Sequence, residues 1–265
     1  RGLGRVVGHL ARRRRAQVQR NLRRIDPSLS GARLRRLTDE TFASYARYYE
    51  ESFRLPGASR ETIEAGFIPD GWELLDAALA EGNGAIMAMP HLGGWEWSGF
   101  WVTQVRDHPV TAVVERLDPP ELFEWFVELR RSFGFEIVAL GPEAGAATAR
   151  ALKANHVLAL LCDRDLTGTG PEVEFFGERT TLPGGPATLA LRTGAALLPT
   201  AIYFDGPDTR RSVVLPALDT SRHGKLRDDV QRVTQDLAHA LEDLIRRAPE
   251  QWHLLQPNWP SDRGA

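Results

Sequence analysis

Only one cysteine, Cys162, occurs in 265 residues. That excludes an intramolecular disulfide, a redox cysteine pair and a cysteine-cluster metal site, and it fits a reducing compartment. Long apolar runs are missing too. No window approaches the roughly 18 consecutive apolar residues of a membrane-spanning helix. The longest runs, such as 157–162 and 195–204, have the length of buried strands. A net charge of −2 argues against a uniformly basic nucleic-acid binder. No signal-peptide pattern opens the chain, which begins on Arg1 rather than Met. There is no internal repeat, no long linker and no Gly-x-Ser-x-Gly nucleophile elbow.

What is present is unevenly placed. Nine arginines and no acid fall between Arg1 and Arg24, and the first carboxylate is Asp26. Leu3, Val6, Val7, Leu10, Val18, Leu22 and Ile25 give this segment the spacing of an amphipathic helix, which Asp26-Pro27-Ser28 stops. A second helix is expected over 30–53. Short helices near 60–65 and over 71–81 follow, then a Gly82-Asn83-Gly84 turn. From there apolar strands (85–89, 110–114, 136–140, 157–161, 197–203) alternate with helical stretches (93–105, 119–133, 143–154, 186–193). Extended segments are expected over 172–176 and 212–215, and a long helix with apolar residues three or four apart over 226–247. Alternation of this kind predicts an α/β fold with a central, mostly parallel β-sheet flanked by helices. One domain is expected over 1–265, with 1–56 a basic helical segment for membrane contact and 57–265 the α/β catalytic core.

The most informative stretch is Met87-Ala88-Met89-Pro90-His91-Leu92-Gly93-Gly94-Trp95-Glu96. It runs from a strand through Pro-His and two glycines into a helix. Open α/β sheets bind ligands at the carboxyl ends of their strands, and His91 sits at one. Glu96 falls in the first turn of the following helix. A short glycine turn would bring its carboxylate onto one ring nitrogen and leave the other to take a proton from a hydroxyl. Gly93 and Gly94 would let a substrate approach the backbone. The plainer reading is a solvated strand-end histidine and an acid favoured by the helix dipole. Spacing alone leaves both open.

The segment resembles the His-(four residues)-Asp/Glu motif of the lipid A late acyltransferase superfamily. The resemblance extends to Glu115-Arg116-Leu117, Arg130-Arg131-Ser132-Phe133-Gly134-Phe135, the loop 162–170 (Cys-Asp-Arg-Asp-Leu-Thr-Gly-Thr-Gly), Val173-Glu174-Phe175-Phe176-Gly177-Glu178 and the closing Trp252-His253-Leu254-Leu255-Gln256-Pro257-Asn258-Trp259. Together these look like its actinobacterial branch, the phosphatidylinositol mannoside acyltransferases, although close relatives carry Asp where this chain has Glu96. The resemblance implies a peripheral enzyme on the cytoplasmic face of the inner membrane. It would move palmitoyl or a similar group from acyl-CoA to a mannose hydroxyl of a phosphatidylinositol mannoside.

On that reading His91 is the general base and Glu96 its partner. An acid of the 172–174 segment joins the site, and Glu174 is chosen over Glu172. Arg130 would take the CoA phosphates, while Glu115 would bind acceptor hydroxyls or hold Arg130. Asp163, Arg164 and Asp165 would orient one another and the substrate, or simply form a salt-bridged turn. The segment 180–186 that opens the next helix offers N–H groups and glycines for an anion site or part of the oxyanion hole, or is an ordinary turn with Pro near a helix start. Trp95, Trp97, Phe100 and Trp101 are candidates to line an acyl groove, and Cys162 reads as packing. No cofactor, metal or nucleic acid is expected; acyl-CoA is a substrate, and the partners are the lipid acceptor and an anionic membrane surface. Two other readings stay open. One is an acyltransferase of the same superfamily acting on a lysolipid or a lipid A precursor. The other is a non-catalytic membrane lipid-binding protein.

Overall fold

A computed structural model describes residues 2–115 and 118–264, the side chains of 2–11 and 263–264 excepted. Two long helices, α1 (Gly2–Ile25) and α2 (Gly31–Arg54), precede the short α3 (Arg60–Ala65). Then come β1 (Phe67–Asp70), α4 (Trp72–Ala80), β2 (Ala85–Met89), α5 (Trp95–Gln104), β3 (Val110–Val114), α6 (Pro120–Ser132), β4 (Glu136–Ala139), α7 (Ala144–Lys153) and β5 (Val157–Leu161). A hairpin of β6 (Glu172–Phe175) and β7 (Glu178–Thr181) leads to α8 (Gly185–Thr193), β8 (Ala196–Phe204), β9 (Arg210–Val214) and α9 (Leu226–Arg247).

Among the described residues one seven-stranded sheet has the order β1-β9-β8-β2-β5-β3-β4. Its pairings are parallel except β8 with β9, so the mostly parallel α/β architecture holds. The central strands are apolar throughout because helices cover both faces. Alternation in β2 shows how. Ala85 and Met87 join the cluster containing Trp72, Phe100, Trp101 and Phe126 of α4, α5 and α6. Ile86 and Ala88 join the one containing Val233, Leu237, Leu241 and Leu244 of α9.

Two strands were not expected from the sequence. The first, β1, holds a proline and pairs only with β9, at the sheet edge, where a missing N–H is tolerated. The second, β7, is the polar Glu-Arg-Thr-Thr, paired antiparallel with β6 outside the main sheet.

The basic helix α1 is not left without internal acids. Arg15 meets Asp39 at 2.7 Å, Arg20 meets Asp262 at 3.2 Å, and Arg24 meets Glu178 at 2.9 Å. Its buried Val18 and Leu22 pack with Leu29, Leu34 and Leu255. Arg12, Arg13, Arg14 and Arg23 remain exposed. The apolar positions Leu3, Val6, Val7 and Leu10 lie outside the described side chains, and Arg116 and Leu117 outside the described residues. Among the described residues no helix is long and apolar enough to cross a membrane.

Candidate active site

Strand register places the site. Met89 of β2 lies opposite Leu161 of β5, and Cys162 N–H continues the ladder to the Met89 carbonyl at 2.8 Å. His91 and Asp163 each lie two residues beyond this pair, so they leave the sheet side by side. The Asp163 carboxylate grips His91 twice: Oδ1 lies 2.6 Å from ring Nδ1, and Oδ2 accepts the His91 backbone N–H at 3.1 Å. Trp252 donates Nε1–H to Oδ2 at 2.7 Å, and Asn258 donates to the Asp163 backbone carbonyl at 3.1 Å. Asp163 is fully buried. Burial works against its charge, but the His91 ring, the Trp252 N–H and the His91 backbone N–H outweigh it and hold the carboxyl below the usual range. An ionised carboxylate only accepts, so Nδ1 carries a proton, and in the neutral ring the lone pair is left on Nε2. Among the described residues Nε2 has no hydrogen-bond partner.

Glu96 is therefore not the carboxylate on the His91 ring. It lies in the first turn of α5 and is buried, but it turns to α2 and α6. Arg130 clamps it, Nε to Oε2 at 3.1 Å and Nη2 to Oε1, while Tyr48 donates its hydroxyl at 3.0 Å. Burial, then the neighbouring Glu96 charge, raises the Tyr48 pKa well above its ordinary value, so that hydroxyl stays a donor. The expected phosphate-binding Arg130 thus has its guanidinium paired with Glu96, and both side chains line a cavity that His91 also lines. Glu115 holds neither Arg130 nor His91; it pairs with Arg164 at 2.6 Å.

Asp165 turns into its own loop and accepts N–H bonds from Thr167 and Gly170 at 2.9 and 2.8 Å. Glu174 is exposed, with its backbone N–H on Gln235, and Glu172 pairs with Arg179. Neither lines a cavity that His91 lines. Pattern placed both on one face of a strand, but that strand belongs to the hairpin rather than to the sheet edge.

The glycines after His91 serve packing rather than substrate approach. Gly93 has φ +60, and a Cβ there would run into the Ile202 carbonyl of β8. That close approach lets residues 91–93 pair with the C-terminal tail. Gly93 N–H bonds the Gln251 carbonyl at 3.0 Å, and His253 N–H bonds the His91 carbonyl at 2.7 Å. The tail motif is thereby accounted for: Trp252 and Asn258 hold Asp163, and His253 holds the His91 backbone. The His253 ring is buried, with Nε2 2.8 Å from the Ser44 hydroxyl and Nδ1 unpartnered. Burial, and then the charge that His91 carries when protonated, lower its pKa to about 3. Cys162 is buried among apolar side chains, which raises its thiol pKa.

Two cavities meet at His91. The first runs along the α5/α6 face of the sheet, from His91, Trp95 and Leu161 past Met87, Ala112 and Ala159 to Val110, Val157 and Phe135. From Leu161 to Val157 is four strand steps, about 13 Å. Of the four aromatics proposed for an acyl groove only Trp95 lines it; Trp97, Phe100 and Trp101 are core. The second lies on the opposite face under α7 and α8, between Leu140, Ala144, Leu160, Leu166, Gly184, Pro186 and Leu189. His91, Val113, Glu115, Leu161 and Arg164 line both. The site can thus hold an apolar chain on one side of His91 and a ligand with both apolar and polar parts on the other, with Nε2 free between them. Among the described residues no cluster of three or more candidate ligands could hold a metal ion.

The family described as bacterial lipid A biosynthesis acyltransferase matches residues 1–261. The chain is 41% identical over 252 residues to a phosphatidylinositol mannoside acyltransferase of Mycobacterium tuberculosis (strain ATCC 25618 / H37Rv), covering 93% of this chain and 77% of that one. It is 42% identical over 253 residues to the protein of that name from Mycolicibacterium smegmatis, covering 93% and 80%. A lipid A biosynthesis acyltransferase of Haemophilus influenzae is 25% identical over 261 residues, covering 94% and 77%.

Proposed function

Because the chain belongs to the bacterial lipid A biosynthesis acyltransferase family, and is an acyltransferase, we propose that it moves a fatty acyl group, palmitoyl or similar, from acyl-CoA to a mannose hydroxyl of a phosphatidylinositol mannoside. The observation that carries this reading is the His91–Asp163 pair where the two cavities join. The acceptor is suggested by the relatives named for it.

In this reading the acyl chain lies in the cavity along α5 and α6, with its thioester carbonyl beside His91. The acceptor reaches the same point from the other side. Nε2 removes the hydroxyl proton as the oxygen bonds to the thioester carbon. Asp163 stabilises the imidazolium that forms. Collapse of the tetrahedral intermediate breaks the carbon–sulfur bond, and the departing thiolate takes the proton from Nε2. A thioester is already activated, so no covalent acyl-enzyme is required. Glu96 and Arg130 act as a buried strut that fixes α5, α6 and α2 around the first cavity. The exposed Arg12, Arg13 and Arg14 would hold the enzyme on anionic lipid at the cytoplasmic face, each contributing about 1 kcal/mol near the surface.

The test is transfer of radiolabelled palmitate from palmitoyl-CoA to a panel of phosphatidylinositol mannosides and lysolipids. Product on the mannosides, reduced about 10²–10⁴-fold by His91→Ala, supports the reading. Product on lysolipids alone moves the acceptor assignment, and no product on any acceptor leaves a lipid-binding protein.

A further inference from the structure

Phe53, Leu140 and Leu166 are the large apolar side chains that stand exposed among the described residues. Phe53 packs its ring on Trp125, with centroids 4.7 Å apart. The two leucines are different. Leu140 is 49% exposed in the turn between β4 and α7, and Leu166 is 44% exposed in the loop between β5 and β6. They are remote in sequence, yet both line the second cavity, the one that His91 also lines.

Each sits on an anchored stretch of backbone. Leu140 N–H is tied to the Val114 carbonyl at 2.9 Å, which extends the sheet by one bond. Leu166 sits in the turn closed by the Asp165 carboxylate on the N–H groups of Thr167 and Gly170. Arg192, exposed and without an ion pair among the described residues, lines the same cavity.

We infer that Leu140 and Leu166 are a lipid-docking edge: they insert into the bilayer surface at the mouth of the second cavity, with Arg192 toward anionic headgroups. This rests on reading the acceptor as a lipid. Two half-exposed leucines offer far less than the roughly 800 Å² per partner that a stable protein interface covers. They suffice for shallow insertion, where a few apolar side chains below the headgroups combine with nearby cations. Docking at this edge would bring the headgroup of the lipid acceptor to the mouth of the second cavity, through which its hydroxyl can reach His91.

The native thiol, Cys162, is buried, so a single introduced cysteine can be labelled selectively. Leu140→Cys, Leu166→Cys and Lys153→Cys each receive an environment-sensitive fluorophore. Lys153 is exposed at the far end of α7, about 15 Å along the helix from its start. Vesicles of phosphatidylcholine with phosphatidylinositol, free of mannosides, are then added. The expected result is a blue shift at 140 and 166 and none at 153. Leu140→Glu/Leu166→Glu, with an unchanged melting temperature, should weaken vesicle co-sedimentation about ten-fold or more. Absence of vesicle binding, binding without a shift at 140 and 166, or a shift that follows protein concentration rather than vesicles would each overturn the inference. The last would mark a contact between copies of the chain. Transfer to detergent-dispersed mannosides with no shift on vesicles would sink this edge and leave the proposed activity standing.

Discussion

Asp163 holds His91 by ring and backbone at once, Oδ1 on Nδ1 at 2.6 Å and Oδ2 on the backbone N–H at 3.1 Å. Trp252 completes the arrangement by donating to Oδ2. Trp252→Phe removes that donor and keeps most of the packing. The carboxylate then loses one hydrogen bond to a charged group, about 1.5–3 kcal/mol. Stability in urea should fall by that order, and kcat should fall with it as His91 becomes less well oriented. An unchanged unfolding midpoint would show that Trp252 contributes only bulk.

The Glu96–Arg130 pair predicts a fold defect. Glu96 is 4% and Arg130 16% exposed at the side chain. Removing one partner strands a buried charge, which costs about 3–5 kcal/mol. Arg130→Ala should lower the denaturant midpoint by that order. Glu96→Gln/Arg130→Met together should recover much of it, because neither charge is then buried alone. A fully stable Arg130→Ala protein with a raised KM for acyl-CoA would restore the phosphate-binding role for this arginine.

Gly93→Ala should destabilise by about 1–3 kcal/mol, since φ +60 and the Ile202 carbonyl both oppose a Cβ. Gly134 provides the comparison. It also has positive φ, +85, but open space around it, so Gly134→Ala meets only the backbone cost. Equal unfolding free energies for the two variants would mean that the 91–93 loop yields more easily than its hydrogen bonds to the tail suggest.

Much of this fold was legible in sequence and one decisive contact was not. The strands 85–89, 110–114 and 157–161 and the helix 226–247 stand where apolar patterning put them. What patterning lacks is strand order. β5 inserts between β2 and β3, with β3 and β4 intervening in the chain, so nothing local says that Asp163 emerges beside His91. Glu96, five residues from His91, was the nearer acid in sequence. Helix α5 turns it away, toward α2 and α6. A usable signal did exist: His91 and Asp163 each follow an apolar strand at the same offset. The polar hairpin strand β7 had no such signal, because Glu-Arg-Thr-Thr carries no apolar alternation.

His253 predicts a pH effect on stability. Its folded pKa of about 3 lies below the ordinary 6.5, so between those values the unfolded chain binds the extra proton. Stability should therefore fall as pH drops from about 6.5 toward 3. His253→Gln cannot titrate there, and its unfolding free energy should fall less between pH 7 and pH 5 than that of the wild type. An equally steep loss in the variant would place the effect on other groups.

The most direct test of the central claim is the rate of acyl transfer by Asp163→Asn, measured with palmitoyl-CoA and a phosphatidylinositol mannoside. Asparagine keeps the size of the side chain but cannot supply a counter-charge to the imidazolium, and its amide can present a donor to Nδ1 and so reverse the tautomer. The account predicts a folded protein, by circular dichroism and melting, whose kcat is reduced by about 10²–10⁴-fold with little change in KM for palmitoyl-CoA. A folded Asp163→Asn enzyme with near-wild-type kcat would contradict it.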